Sequence, residues 1–425
     1  MIFRFSLYGF LKNQRYFEAF LFLAFLEKGL DFFQIGLLVG FRSLAVNIIE
    51  VPSGAIADVF GRRGALLLSL AAYLVGFIVL GAVDDLVWLG VGMTLLALGD
   101  SFRSGTHKAM IFTWLSSQGR TDERVKVYGY TRSWSKFGSA LAVVAGAAIV
   151  LVSDTYSWVF YATAIPYVLG IINILGYPKA IDTTDTTNRT MDGLVGHLLD
   201  TLRDTFRRSS LRRLVLEAMG FDGVFAAVKD YLQPVLAAAA IPLAATITIS
   251  SSLSETQQTA LLVGPVYVVL YLLAGLASRR SHQVSTAAGG EDRAARRLWG
   301  VSVVVFAVML ASGWFEVLPA LIGAFVVLHV LHNVWRPILI SRFDLHGDEK
   351  QGASLLSIES QAQRMATMIL APLLGLAVDR VAAGDAGGSG GAFWPLGAVG
   401  LVVSLLFLAA TLLPGGGSRR RAVMI

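Results

Sequence analysis

Long apolar stretches recur along almost the whole of this 425-residue chain, and they constrain its fold more than any other feature. Each is long enough to cross about 30 Å of hydrocarbon as an α-helix. Hydrophobic residues make up 55% of the chain and charged residues only 15%, which excludes an ordinary soluble protein. Outer-membrane barrel strands are shorter and alternate in polarity, so that class is excluded too. The sequence predicts an all-α polytopic membrane protein.

The stretches are expected to form twelve transmembrane helices. Their approximate spans are 5–27, 35–57, 65–83, 88–112, 128–152, 157–177, 212–240, 259–277, 298–315, 318–341, 352–378 and 393–413. A polar linker, 179–211, separates an N-terminal bundle of six helices (1–178) from a C-terminal one (212–425). Leu194, Leu198 and Leu202 recur at helical spacing in the linker, which fits an amphipathic helix on the inner leaflet or a solvated helix.

Lysine and arginine are distributed unevenly between the loops. One alternating set carries almost all of them, including Arg62, Arg63 and the basic residues of the linker, whereas the opposite set carries Lys28 and Arg380. Basic loops stay in the cytoplasm, so we expect both termini there and the protein in the plasma (inner) membrane. The net charge of +6 therefore reflects topology, and we expect no nucleic-acid partner.

The segment from Gly54 to Arg63, between the second and third stretches, reads G-A-I-A-D-V-F-G-R-R. It resembles the signature motif of the major facilitator superfamily, and the preceding E-V-P-S-G resembles the entry to that motif. The resemblance implies two six-helix bundles that alternate access around a midplane site. It also implies an inner latch between the second and eleventh helices, to which the aspartate contributes. We assign this latch to Glu50, Gly54, Asp58, Gly61, Arg62 and Arg63.

Asp100, Arg103 and His107 lie at i, i+3 and i+7 in the fourth stretch. In one continuous helix they would share a face, which we expect to point into a central cavity. The alternative is a structural salt bridge between Arg103 and Asp100. The surrounding segment resembles the fourth helix of bacterial members that carry an S-G-x-x-x-A pattern, here from Ser104 to Ala109.

A charged group at bilayer depth is costly and marks a partner or a watery cavity. In the N-terminal half such basic residues outnumber acidic ones, which favours an anionic or amphiphilic solute, although some of them could lie in the inner-leaflet interface. Our candidates for substrate binding are Arg15, Arg42, Asp100, Arg103, His107, Lys136, His329, His332 and Arg336.

Buried carboxyl groups of the C-terminal half are candidates for proton coupling. Asp222 is the preferred one, with Glu359 as a second. His329 and His332 are interpreted as a proton relay or as packing residues. A metal site completed by Asp222, Asp230 or Glu359 is a weaker alternative, and we expect no metal and no cofactor.

The chain lacks a nucleotide loop of the G-x-x-x-x-G-K-[ST] type and a nucleophile elbow, so we expect no enzyme. We expect a monomeric secondary transporter of a small organic solute, coupled to protons. Two alternatives stay open. One is efflux of drugs or cations, served by Glu27, Asp31, Asp100 and Asp222. The other is a sensor that kept the carrier fold and binds a partner through the linker.

Overall fold

The computed structural model describes residues 1–178, 182, 203, 207–246, 253–346, 352–384 and 391–412. Its first half contains helices α1 (Ile2–Leu11), α2 (Leu21–Glu27), α3 (Phe32–Phe60), α4 (Arg62–Ala82), α5 (Leu86–Arg103), α6 (Thr106–Ser117), α7 (Arg124–Ser153) and α8 (Trp158–Leu175). Its second half contains α9 (Ser209–Val228), α10 (Leu232–Thr246), α11 (Glu255–Ala288), α12 (Glu291–Trp314), α13 (Leu318–His346), α14 (Gly352–Gly384) and α15 (Trp394–Leu412). Short 3-10 turns precede α7, α10 and α15.

Eleven helical stretches of the described chain are long and apolar enough to cross a membrane, and Ile2–Leu11 is a shorter apolar helix. Large apolar side chains such as Ile165, Leu272 and Leu406 are exposed on the outside of the protein. An exposed apolar surface of this extent fits lipid and not water. The predicted all-α, polytopic membrane architecture is confirmed.

The first crossing differs from the predicted helix over 5–27. It consists of α1 and α2, and the chain from Lys12 to Phe20 between them is not a continuous α-helix. Backbone groups freed at membrane depth need partners. The Tyr167 hydroxyl donates to the carbonyl of Lys12 at 2.9 Å. The side chain of Gln233 donates to the carbonyl of Glu18 at 3.0 Å and accepts from the amide of Phe22 at 2.8 Å.

The fourth crossing is also broken, into α5 and α6. Gly105, which begins α6, has a φ of +72°, a left-handed conformation that glycine adopts without a steric penalty. Our argument from one continuous helical face was therefore wrong in its geometry. The break turns the chain so that residues on both sides of it, from Arg103 to Lys108, face the interior cavity described below.

An even number of crossings brings Met1 and Leu412, the first and last described residues, to one side of the membrane-spanning bundle, which we call the terminal face. The other side is the opposite face. Two of the helices that begin at the opposite face have capping boxes, in which the N-cap side chain and the N3 side chain each bond the other's backbone amide. Asp31 and Gln34 form one at α3, and Ser254 and Gln257 form the other at α11. These caps fix where the chain re-enters the membrane.

Helices α3 and α14 join the two halves along one side, and glycine allows their close approach. A Cβ atom on Gly40 would lie 2.8 Å from the backbone oxygen of Met368, and one on Gly36 would overlap the backbone of Ala371. Nearer the opposite face, a Cβ atom on Gly375 would overlap the carbonyl of Phe32. Contact between the two backbones is therefore possible only without side chains at these positions.

Polar contacts also join the halves at the opposite face. The carboxylate of Asp379, in α14, accepts from the amides of Phe32 and Phe33 at 3.1 and 2.7 Å and so binds the first turn of α3. In a second place, Gln257 of α11 donates to the carbonyl of Leu151 in α7 at 2.9 Å. The two halves are thus held together at the opposite face.

Most of the linker between the halves lies outside the described residues. Helix α8 ends at Leu175 and α9 begins at Ser209. Between residues 179 and 206 only residues 182 and 203 belong to the described chain, so the predicted amphipathic helix lies outside it. The bundle boundaries at 178 and 212 stay predictions.

The close approach of α3 and α14 predicts the effect of one added methyl group. Gly40→Ala is expected to lower the Tm of the purified protein, because overpacking against a rigid backbone costs about 1–3 kcal/mol. Gly90→Ala, in α5, is the matched control, since its Cβ atom would meet nothing within 4 Å. It is expected to keep or raise the Tm through helix propensity. Equal Tm changes for both variants would contradict the close contact.

Candidate functional site

A cavity of about 640 Å³ lies between the halves. Its lining includes Met93 and Leu21 deep in the protein and Tyr128, near the start of α7 at the terminal face, so the cavity extends toward that face. Ala226, Gln363 and other residues of the second half complete the wall. Six basic side chains line it against three acidic ones: Lys12, Arg42, Arg103, Lys108, Lys229 and Arg364 against Glu50, Asp100 and Asp230.

Asp100, near the end of α5, is the centre of the charged network. One carboxylate oxygen accepts from Arg42 of α3 at 2.5 Å. The other accepts from Arg103 at 3.1 Å and from the hydroxyl of Tyr73, and lies 3.4 Å from a guanidinium nitrogen of Arg15. One carboxylate therefore contacts guanidinium groups from three crossings, and charge-assisted bonds of this kind are stronger than neutral ones.

Arg15 holds the non-helical part of the first crossing against this network. Its guanidinium donates to the hydroxyl of Tyr167 at 3.1 Å and to the hydroxyl of Tyr73 at 2.8 Å. It also contacts Glu18 at 3.1 Å. Arg15 does not line the cavity itself, because its side chain lies behind Asp100 and Arg103. Its position makes it a support of the site.

Two further ion pairs occupy the cavity wall. Arg364 of α14 donates to Asn47 at 2.7 Å and to the carboxylate of Glu50, both in α3, and so crosses between the halves. Lys229 contacts both carboxylate oxygens of its neighbour Asp230, at 2.8 and 2.7 Å. The charges of Arg364 and Lys229 are therefore balanced locally.

Lys12 and Lys108 differ from the other cations of the lining, because neither has a carboxylate partner among the described residues. The ammonium of Lys12 lies 5.9 Å from the ring centre of Tyr8, and that of Lys108 lies 5.5 Å from the rings of Phe112 and Tyr128. In addition, the buried Nε of Arg103 has no hydrogen-bond partner in the part of the chain that the structure describes. The positive excess of the lining is thus concentrated on the first-half wall.

His107 lines the same wall but is held by aromatic neighbours. Its ring stacks on Tyr8 with 4.1 Å between centres, and its Nε2 lies 3.4 Å from the hydroxyl of Tyr177. The ring of Phe5 meets it edge-on at 5.6 Å. These contacts fix the imidazole ring at the cavity surface.

A second charged cluster lies in the second half, behind the lining. Asp222 of α9 and Glu359 of α14 are almost fully buried, and both contact the guanidinium of Arg336 in α13. His332 places its Nε2 3.4 Å from Asp222. When His332 is neutral, the carboxylates of Asp222 and Glu359 share the single positive charge of Arg336. The structure therefore brings together four residues that the sequence could only list separately.

The two histidines of α13 have separate surroundings. His332 stacks on Phe225 with 3.8 Å between centres, beside Asp222. His329 instead contacts the carbonyl of Phe325 through Nδ1 at 2.9 Å and lies outside the charged cluster. Within the described chain, no group of three His, Cys, Asp or Glu side chains is placed to hold a metal ion.

The other predicted residues lie away from the cavity lining. Lys136 is exposed on α7. At the predicted latch, Gly61 has a φ of +95° between α3 and α4, and Arg63 donates to the carbonyl of Leu175 at 2.6 Å. Arg62 donates to Thr113 at 3.1 Å, and the side chain of Asp58 lies outside the described residues. Glu50 is the latch residue that lines the cavity.

Sequence reasoning missed several residues of the site. Lys12 lies inside the first predicted span, 5–27, but only Arg15 was selected there as a candidate for substrate binding. Tyr73 and Gln233 carry no sequence signal, since their partners lie 27 and 211 residues away. The polar residues between Lys12 and Glu18, inside an apolar stretch, were the sequence signal from which this helix break could have been predicted.

The sequence and the fold both match known transporters. The model of the Major Facilitator Superfamily matches residues 13–325. The nucleoside transporter NupG has a similar structure, with a TM-score of 0.74 and 12% identity over 97% of this chain and 98% of that one. The D-xylose-proton symporter matches with a TM-score of 0.63 and 14% identity, over 96% of each chain.

A POT family transporter in complex with 5-aminolevulinic acid also has a similar structure, with a TM-score of 0.62 and 14% identity over 97% of this chain and 95% of that chain. A search of curated proteins found no significant match. Because the family model covers well over half of the sequence, the chain belongs to the Major Facilitator Superfamily.

Proposed function

We propose that this protein transports a small organic anion across the plasma membrane by alternating access, coupled to protons. Membership of the superfamily makes the chain a transporter and not an enzyme. The anionic substrate is inferred from one observation, the excess of basic over acidic side chains in the cavity lining. Like charges in a partly desolvated cavity repel one another, and an anion relieves that repulsion.

The chemistry of the basic groups supports the same class of solute. Guanidinium groups bind carboxylate and phosphate oxygens through paired hydrogen bonds, and lysine adds a mobile point charge. One structural neighbour was solved in complex with 5-aminolevulinic acid, a small solute with one carboxylate and one amine. At this low identity the neighbour indicates only that the fold can accommodate such a molecule.

The alternative substrate class, a lipophilic cation, is less well supported, because its proposed acidic residues are engaged elsewhere. Glu27 accepts from the amide of Tyr156 at 3.0 Å, and Asp31 caps α3. Asp100 is bound by arginines, and Asp222 contacts Arg336. A cation would have to displace one of these partners.

The contacts between the halves support alternating access. The opposite face is closed by Asp379 and by the contact of α3 with α14, while the cavity extends toward the terminal face. The basic loops place the terminal face in the cytoplasm, so this conformation is an inward-facing one. Opening the other way requires the contacts at the opposite face to separate, whereas the bond of Arg364 to Glu50 and Asn47 lies farther along α3, toward the terminal face, and can remain. We propose that the transporter works as a monomer.

The cluster of Asp222, Glu359 and Arg336 is the proposed site of proton coupling. It holds one more carboxylate than cation, so binding one proton would make it neutral. The residues of this cluster do not line the cavity themselves, whereas Gln363 and Thr367, on the same helix α14 as Glu359, do. Movement of α14 during the transport cycle would therefore couple protonation of the cluster to the side of the membrane on which the cavity opens.

The anion proposal predicts a ligand preference of the purified protein. In a thermal-shift panel of carboxylates, phosphate esters, neutral analogues and lipophilic cations, we expect anions alone to raise the Tm. Arg42→Gln is expected to weaken anion binding by about 10-fold, because it removes one of the six positive charges of the cavity lining. Arg280→Gln, on the exposed end of α11, is the matched control. Stabilisation by cations and not by anions would contradict the proposal.

The proton proposal predicts that the Asp222→Asn variant loses proton-driven transport and keeps substrate exchange. In proteoliposomes, this variant is expected to lose accumulation driven by a proton gradient and to keep exchange of labelled for unlabelled solute, because the substrate wall is intact. Asp122→Asn changes an exposed carboxylate between α6 and α7 and is expected to behave like the wild type. Gradient-driven uptake that survives in Asp222→Asn would exclude this residue.

A further inference from the structure

We propose that the transported anion carries a doubly charged phosphoryl head group, bound by Lys12, Arg103 and Lys108 on the first-half wall of the cavity. This inference rests on the proposed function and specifies the substrate class of the same site. It derives from the charges that remain unbalanced in the lining and from the two helix breaks that place them there.

The breaks in the first and fourth crossings bring the three cations to one wall. Lys12 follows the last residue of α1. Arg103 is the last residue of α5, and Lys108 lies in the first turn of α6. All three line the cavity, together with Ser104 and Gly105 at the second break. In continuous helices Arg103 and Lys108 would point to different sides of the fourth crossing.

The unbalanced charge can be counted from the ion pairs. Among the lining residues, Arg364 is paired with Glu50 and Lys229 with Asp230. Asp100 balances one of its two lining arginines, Arg42 or Arg103. Lys12, Lys108 and one guanidinium charge are left, which is the excess of six basic over three acidic side chains. Arg15, behind the lining, is balanced by Glu18.

This count distinguishes a doubly charged ligand from a singly charged one. When the carrier closes around its substrate, water leaves and each uncompensated charge becomes more costly. A carboxylate would leave two of the three positive charges unbalanced, whereas a phosphate monoester would leave one. A phosphate group also presents three oxygens, which suits two separate ammonium groups and a guanidinium group better than the two oxygens of a carboxylate do.

The backbone of α6 adds to this charge preference. The helix begins at the cavity wall with Gly105 as its N-cap, and no side chain caps it. Helix N-termini favour anions through their free amides and their dipole. The remaining wall offers space for the organic part of the substrate, with Tyr8, Val39 and Met93 among the lining residues.

The test compares aromatic anions on the purified full-length protein: benzoate differs from phenyl phosphate in charge, and phthalate has the same charge on two carboxylates. The probes are phenyl phosphate, benzoate and phthalate, measured by isothermal titration at pH 8. We expect phenyl phosphate to bind at least 10-fold more tightly than benzoate or phthalate. Its affinity should fall as the pH is lowered through about 6, where a phosphate monoester takes up its second proton.

Variants then locate the binding site. Lys12→Gln and Lys108→Gln, made separately, are each expected to reduce the preference for phenyl phosphate over benzoate by at least 5-fold. Lys126→Gln, an exposed lysine at the start of α7, should keep it. A preference unchanged in both cavity variants would overturn the assignment of the site.

The outcomes separate this inference from the proposed function. If benzoate or phthalate binds as tightly as phenyl phosphate, the phosphoryl head group is overturned and the anion transporter stands. If no anion binds and a cationic or neutral solute does, the proposed function fails together with the inference. Equal affinity for phenyl phosphate at pH 8 and pH 5 would also overturn the doubly charged head group.

Discussion

One partly buried carboxylate at the cavity wall organises the N-terminal half of this transporter. Asp100 contacts three arginines and a tyrosine from the first four crossings, so removing its charge would affect each of those helices. A group of guanidinium charges at membrane depth is tolerated only with such a partner. Because Asp100 and Glu18 together cannot neutralise three arginines, the network stays positive toward the cavity, and we infer that this remaining charge attracts substrate.

The two helix breaks depend on the same network. The chain from Lys12 to Phe20 leaves the helical path where Arg15 reaches Asp100, Tyr73 and Tyr167. Gln233 of the second half replaces backbone partners that the break removes. Gly105 allows the second break, which turns His107 and Lys108 to the cavity. Departures from regular helix thus occur beside the cavity, where polar partners can satisfy the backbone.

The fold could be predicted from the sequence because hydrophobic length alone requires helices in a bilayer. Arg42, Asp100, Arg103 and His107 could be found as candidates because charge in an apolar stretch is conspicuous. The breaks could not be placed, since they depend on partners such as Tyr167 and Gln233, far away in sequence. Lys136 was selected by the same rule and is exposed, because residue type alone does not tell which side of a helix faces the cavity.

The most direct measurement of the central claim is the thermal unfolding of Asp100→Asn with and without added inorganic phosphate, at constant ionic strength. The variant should have a lower Tm, since losing the carboxylate leaves the partly buried guanidinium groups of Arg42 and Arg103 without their partner. Phosphate should then raise its Tm more than that of the wild type, because a bound anion replaces the missing carboxylate. An unchanged Tm, or a loss that phosphate does not restore better than chloride, would contradict this account.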